Sequence, residues 1–89
     1  MGKMNVKLKL MPTSPSVNLE NIKKKAKELV EKRGGTNSQF QEEPIAFGLK
    51  AVIMTFIWPE EKELEETEEM LKRIQDVSSE EIIDLRRTV

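Results

Sequence analysis

Cysteine and histidine are both missing from this 89-residue chain. Without cysteine there can be no disulfide, no thiolate metal site and no thiol nucleophile. Without histidine, the usual general base at neutral pH and the commonest transition-metal ligand are gone as well. No apolar run is long enough to cross a membrane, and the first residues show no charged-then-apolar leader. An excess of one charge is also lacking: 35% of the residues are charged, yet the net charge is −1. Nucleic-acid binders of this size carry a clear positive excess, so that footprint is absent. Serines and threonines find no evident base for a triad, which disfavours nucleophilic catalysis. The expectation is a cytoplasmic, metal-free and cofactor-free protein without covalent chemistry, touching neither nucleic acid nor membrane. One domain over residues 1–89, a monomer on its own, would bury roughly 60–65% of its unfolded surface.

What is present is orderly. Val6-Lys7-Leu8-Lys9-Leu10 alternates apolar and basic residues, the pattern of a half-buried strand. Pro12 and Pro15 end it. Asn18 is placed to cap a helix whose apolar stripe is Leu19, Ile22, Ala26, Leu29 and Val30. Lys32 and Arg33 suit the negative end of its dipole, and Gly34-Gly35 stop it. Thr36 to Glu42, polar around Phe40, reads as an edge strand. Pro44 interrupts, and Ala51 to Trp58 then forms an apolar run suited to a central strand with both faces largely dry. Phe47 stands at its entrance, beside a Gly48 that leaves room for another backbone. Trp58-Pro59-Glu60-Glu61 would open a second helix with Leu64, Thr67, Met70, Leu71 and Ile74 inward. Val77 to Arg87 closes the chain as a last strand.

The order strand, helix, strand, strand, helix, strand predicts an α+β fold, the ferredoxin-like α/β sandwich: a four-stranded antiparallel sheet with both helices on one face. The first and third strands should be central. On the third, Val52, Met54, Phe56 and Trp58 should face the helices, leaving Ala51, Ile53, Thr55 and Ile57 on the open face.

Most charged clusters read as wetted helix faces. That holds for Lys23-Lys24-Lys25-Lys27 and for the glutamates from Glu60 to Glu69, with no apolar pocket expected to enclose a pair of the latter. Gly34-Gly35 lacks the lysine and hydroxyl of a phosphate loop. Phe47 is either a core aromatic at the top of a strand or a protruding anchor. Arg86-Arg87-Thr88-Val89 is either a frayed tail or a cationic tip pushed into an anionic site.

Three segments together resemble the archaeal translation elongation factor one-beta family: Glu43-Pro44-Ile45-Ala46-Phe47-Gly48-Leu49-Lys50, the Val6–Pro12 strand ending in Met-Pro, and Ile83-Asp84-Leu85-Arg86-Arg87. The likeness spans essentially the whole chain and extends, more distantly, to the C-terminal catalytic domain of the eukaryotic factor. It implies a guanine-nucleotide exchange factor for elongation factor one-alpha, the GTPase that delivers aminoacyl-tRNA, on a ferredoxin-like fold. It further implies that Phe47, next to Gly48, docks in a pocket of the GTPase. A basic residue near the C-terminus would disturb the Mg²⁺ site beside the bound phosphates. The eukaryotic domain carries lysine next to last, where this chain has Thr88; Arg87, with Arg86 behind it, is the nearest cation. The topology places Phe47 and Arg87 at opposite ends of the sheet, ~20–26 Å apart at ~3.3 Å per residue.

Two rivals share the strand order. A single-stranded RNA-binding module of the RNA-recognition-motif type needs stacking aromatics on its open face, where only Ala51, Ile53, Thr55 and Ile57 are expected here. A small assembly domain would pair through that same face.

Overall fold

The expected element order is the observed one. The computed structural model describes residues 2–88, running β1 (Lys3–Pro12), α1 (Leu19–Lys32), β2 (Thr36–Pro44), β3 (Lys50–Pro59), α2 (Glu65–Lys72) and β4 (Val77–Thr88). The strands form one antiparallel sheet in the order β2-β3-β1-β4, so β1 and β3 are central and the fold is ferredoxin-like α+β.

Local chemistry accounts for α1. The Asn18 side chain accepts the Glu20 amide at 3.0 Å, and Ile22, Ala26 and Val30 are buried. At the other end Gly34 donates to Glu31 and Gly35 to Val30, the paired bonds of a Schellman stop. Gly34 sits at φ 115°, a conformation that side chains resist. Gly35 lies so close to Val30 that an added Cβ would meet its side chain at 2.3 Å.

The core lies between sheet and helices. Val6, Leu8 and Leu10 of β1 pack there with Val52, Met54, Phe56 and Trp58 of β3, as the alternation predicts. Phe56 and Trp58 meet edge to face, 6.0 Å between centroids at 77°. The Trp58 indole donates to the Lys62 carbonyl at 3.1 Å, so the largest buried ring keeps its one hydrogen bond. On the open face Ala51 and Ile53 are buried, whereas Thr55 and Ile57 are half-exposed. The central strand is therefore dry on both sides only in its first half. There Lys9 and Gln41 flank Ile53 in register, and their stems can shield it.

Two expectations for α2 fail. Pro59 does not start a helix. It ends β3, paired with Lys3, and Glu60 donates on to the Gly2 carbonyl at 3.0 Å. Pairing with β1 keeps the segment extended against its helix-opening signals, so α2 starts only at Glu65 and has no side-chain cap at Leu64. Met70 is not in the buried stripe: Thr67, Leu71 and Ile74 turn inward and leave it 36% exposed. Arg33 crosses from the end of α1 to donate to the buried Thr67 hydroxyl at 2.9 Å and to meet Glu66 at 3.3 Å, tying the helices together.

Candidate functional site

The residues expected to form the site fall at the two ends of the sheet. At one end β2 and β3 join through the turn Ala46-Phe47-Gly48-Leu49, closed by the Leu49 amide donating to the Ala46 carbonyl at 2.9 Å. Phe47 has φ 56° and Gly48 φ 79°. Positive φ at both central positions is the signature of a type I′ turn, which matches the twist of a hairpin and selects Asn-Gly or Gly-Gly. Gly48 obeys that preference. Phe47 violates it, since a bulky side chain in this region is a conformational outlier costing of order 1–3 kcal/mol.

Phe47 is also 95% exposed. The reading of it as a core aromatic at the top of a strand is thus incorrect: it lies in the turn, outside β3, and contributes nothing to the core. Neither folding nor burial accounts for a phenylalanine here. The glycine beside it answers a different need from the one expected. Its open flank meets only the Pro15 ring, which an added Cβ would approach at an ordinary 3.7 Å, so the dihedral and not close packing demands glycine. Between this turn and the β1–α1 connection lies a shallow cleft of about 350 Å³, lined by Pro12, Pro15, Asn18, Glu42, Gly48 and Lys50 among others. Lys23 braces its wall by reaching Glu42 at 2.8 Å and Glu20 at 2.9 Å. Those hydrogen bonds, that to Glu42 foremost, raise the Lys23 pKa, and the bond to Lys23 lowers that of Glu42.

At the other end β4 closes the sheet. Arg86 pairs with Asn5 on the open face, and Arg87 with Met4 on the helix side, so the two arginines point to opposite faces. Each has an acidic partner: Arg86 meets Asp84 at 3.0 Å and Arg87 meets Glu60 at 2.9 Å. Both remain largely solvent-exposed. The Arg87–Glu60 pair was not legible in the sequence, because Glu60 comes near only through continued β1–β3 pairing, whereas Asp84 and Arg86, two apart on one strand, share a face by alternation. Val89, the last residue of the expected tail, lies outside the described residues. Met4 also faces Trp58, and Lys50 to Trp58 at ~3.3 Å per residue is about 26 Å. Phe47 stands beyond Lys50, so the span reaches the upper end of the expected range or exceeds it, within a long axis of 42 Å.

Elsewhere the surface gives little chemistry. Among the described residues no group of acidic side chains is arranged to hold a metal, and no helix is long and apolar enough to span a membrane. The open face of the central strands is aliphatic and polar, without an aromatic platform. One glutamate pairing was missed. Glu80 of β4 is half-buried facing Glu68 of α2, with its Oε2 unpartnered. Burial, reinforced by the Glu68 carboxylate, pushes Glu80 up to about 7.

The family model described as the EF-1 guanine nucleotide exchange domain matches residues 5–88. Similar chains include elongation factor 1-beta of Methanococcus vannielii, 41% identical over 86 residues, covering 96% of this chain and 97% of that one. The Methanocaldococcus jannaschii protein of the same name is 42% identical over 87 residues, with the same coverage. That of Methanothermobacter thermautotrophicus is 41% identical over 88 residues, 98% of either chain. The chain accordingly belongs to the EF-1 guanine nucleotide exchange domain family, and its function is guanine-nucleotide exchange on elongation factor one-alpha.

Proposed function

We propose that this single domain, acting as a cytoplasmic monomer and without covalent chemistry, opens the GTPase by a two-point grip. Phe47, presented by Gly48, anchors in an apolar pocket of the partner, and Arg87 works at the opposite end beside the partner's Mg²⁺ and phosphates. The observation carrying this reading is the phenylalanine held at φ 56° and 95% exposed. Strain of that kind persists only where the surroundings impose it, and such outliers gather at ligand clamps. An exposed aromatic on a short two-strand turn loses little freedom on binding and is the kind of residue that dominates an interface.

Exchange needs no bond making. A protein that binds the nucleotide-free GTPase better than the loaded one must weaken nucleotide binding by the same factor. A thousandfold faster release corresponds to about 4 kcal/mol. A unit positive charge about 4 Å from a divalent cation is repelled by roughly 8 kcal/mol at an effective dielectric of 20, before its attraction to phosphate is counted. One arginine is enough on that scale. Arg87 is favoured over Arg86 because its acidic partner, Glu60, is on another segment and can hold the guanidinium toward the sheet's end. Asp84 lies on the same strand as Arg86 and keeps it along the open face; either arginine must leave its carboxylate to act as a full charge on the partner.

The test is a double-mutant cycle on release of a fluorescent GDP analogue from elongation factor one-alpha. Phe47→Ala and Arg87→Ala should each slow release at limiting exchange factor, with effects multiplying in the double variant, since distant contacts add in free energy. Release at the wild-type rate by Arg87→Ala would remove the second point of the grip.

A further inference from the structure

The helix layer carries a feature that the two ends of the sheet leave unused. Between α1 and α2 runs an open groove of about 460 Å³ lined by Lys25, Glu28, Leu29, Lys32, Met70, Arg73, Ile74 and Gln75. Its floor is apolar, formed by half-buried Leu29, buried Ile74 and exposed Met70. Its rim carries three cations against one carboxylate. Lys23 is engaged with Glu20 and Glu42, Arg33 with Glu66 and Lys72 with Glu69, while Lys24 and Lys27 lie exposed elsewhere on α1. Lys25, Lys32 and Arg73 make no ion pair among the described residues, in a chain whose net charge is −1. Met70 occupies a stripe position by sequence yet stays in solvent, and methionine is the side chain best able to mould itself to an incoming apolar surface.

The geometry points to this groove as the docking site of an acidic amphipathic helix from a protein other than the GTPase. Apolar side chains at i, i+3, i+4 and i+7 of such a helix fit a trough between two helices, and glutamates or aspartates on its flanks meet the three free cations. Rim charges of this sort steer association and set register, while the buried apolar contacts supply affinity. Nucleic acid is a poorer match, because the floor offers no aromatic plane on which a base could stack. None of the groove residues belongs to the Phe47 turn or to the C-terminal arginines, so occupation is compatible with the exchange grip.

Amide chemical shifts of the full chain, titrated with a synthetic peptide of leucines at i, i+3, i+4 and i+7 and glutamates elsewhere, test the assignment. Saturable shifts centred on Leu29, Met70 and Ile74 are expected. Binding should weaken with salt and fall about tenfold or more in a Lys25→Glu/Arg73→Glu variant. That variant should keep the wild-type rate of GDP release from elongation factor one-alpha. The assignment is overturned by shifts that are absent or centred on the Phe47 turn or the open sheet face. It is equally overturned by equal binding of a lysine-for-glutamate peptide, by a single-stranded RNA moving the same amides, or by loss of exchange in the charge-reversed variant.

Discussion

Phe47 and Phe56 lie on the same hairpin, yet one is 95% exposed and the other 1%. Phe56 sits in β3 opposite Val6, its ring meeting Trp58 edge to face within the buried core cluster and its φ unremarkable. Phe47 sits in a turn whose dihedrals disfavour it, touching nothing that holds the fold together. Residue type alone says little about role. The backbone environment and the degree of burial separate an aromatic that makes the domain stable from one that costs stability and lies open to solvent. The same contrast separates the two ends of the sheet. The hairpin tip is apolar and fixed by backbone geometry, whereas the arginine end is charged and held by exposed ion pairs.

Substitutions should break that symmetry of composition in opposite ways. The largest loss of stability is expected for Phe56→Ala, about 3–5 kcal/mol from lost burial and the cavity left behind, enough to approach the whole stability of a domain this small. Urea melts followed by circular dichroism will show it. Phe47→Ala should leave the urea midpoint within about 0.5 kcal/mol of wild type. Exchange at limiting factor should nonetheless fall by roughly thirtyfold, the cost of about 2 kcal/mol for a lost interface anchor. A melt in which Phe47→Ala unfolds as Phe56→Ala does would erase the distinction.

A smaller effect sharpens it. Phe47→Asn supplies a residue suited to positive φ and should stabilise the isolated chain by about 0.5–1 kcal/mol while still slowing exchange. Stability and activity moving in opposite directions at one position is the mark of strain kept for function.

The comparable case among charged residues is Glu80. Its folded carboxyl titrates near 7, above its ordinary 4.5, so the protonated form favours the folded state. That contribution is complete below pH 4.5 and is lost as pH rises through about 7. Stability should therefore drop across this window by on the order of 1–2 kcal/mol, once partial solvent exposure is allowed for. Glu80→Gln should flatten the drop in urea melts at pH 5 and pH 8. A persistent drop in that variant would place the titrating group elsewhere.

Much of the fold was legible because local and tertiary signals agree. Alternation in Val6–Leu10, the Asn18 cap, the Gly34-Gly35 stop and the inward set of Val52, Met54, Phe56 and Trp58 each have a period or a dihedral that admits one structure. The start of α2 was not legible. Proline followed by glutamates is a good local helix start, but β1 supplies a partner for Pro59 that no local pattern records. Met70 failed for a related reason, since which side of a short helix turns inward depends on where the sheet lies. Phe47 and Gly48 were legible as unusual neighbours, and only the turn that carries them, with Phe47 95% exposed, decides between core and surface. The Arg87–Glu60 pair and the Glu68–Glu80 contact depend on strand register and helix placement, which residue spacing does not encode.

The most direct test of the central claim measures release of a fluorescent GDP analogue from elongation factor one-alpha with wild-type chain and with Phe47→Ala, alongside urea melts of both. The account predicts matching melts and a roughly thirtyfold slower release with the variant. Equal release rates from two equally stable proteins would contradict it.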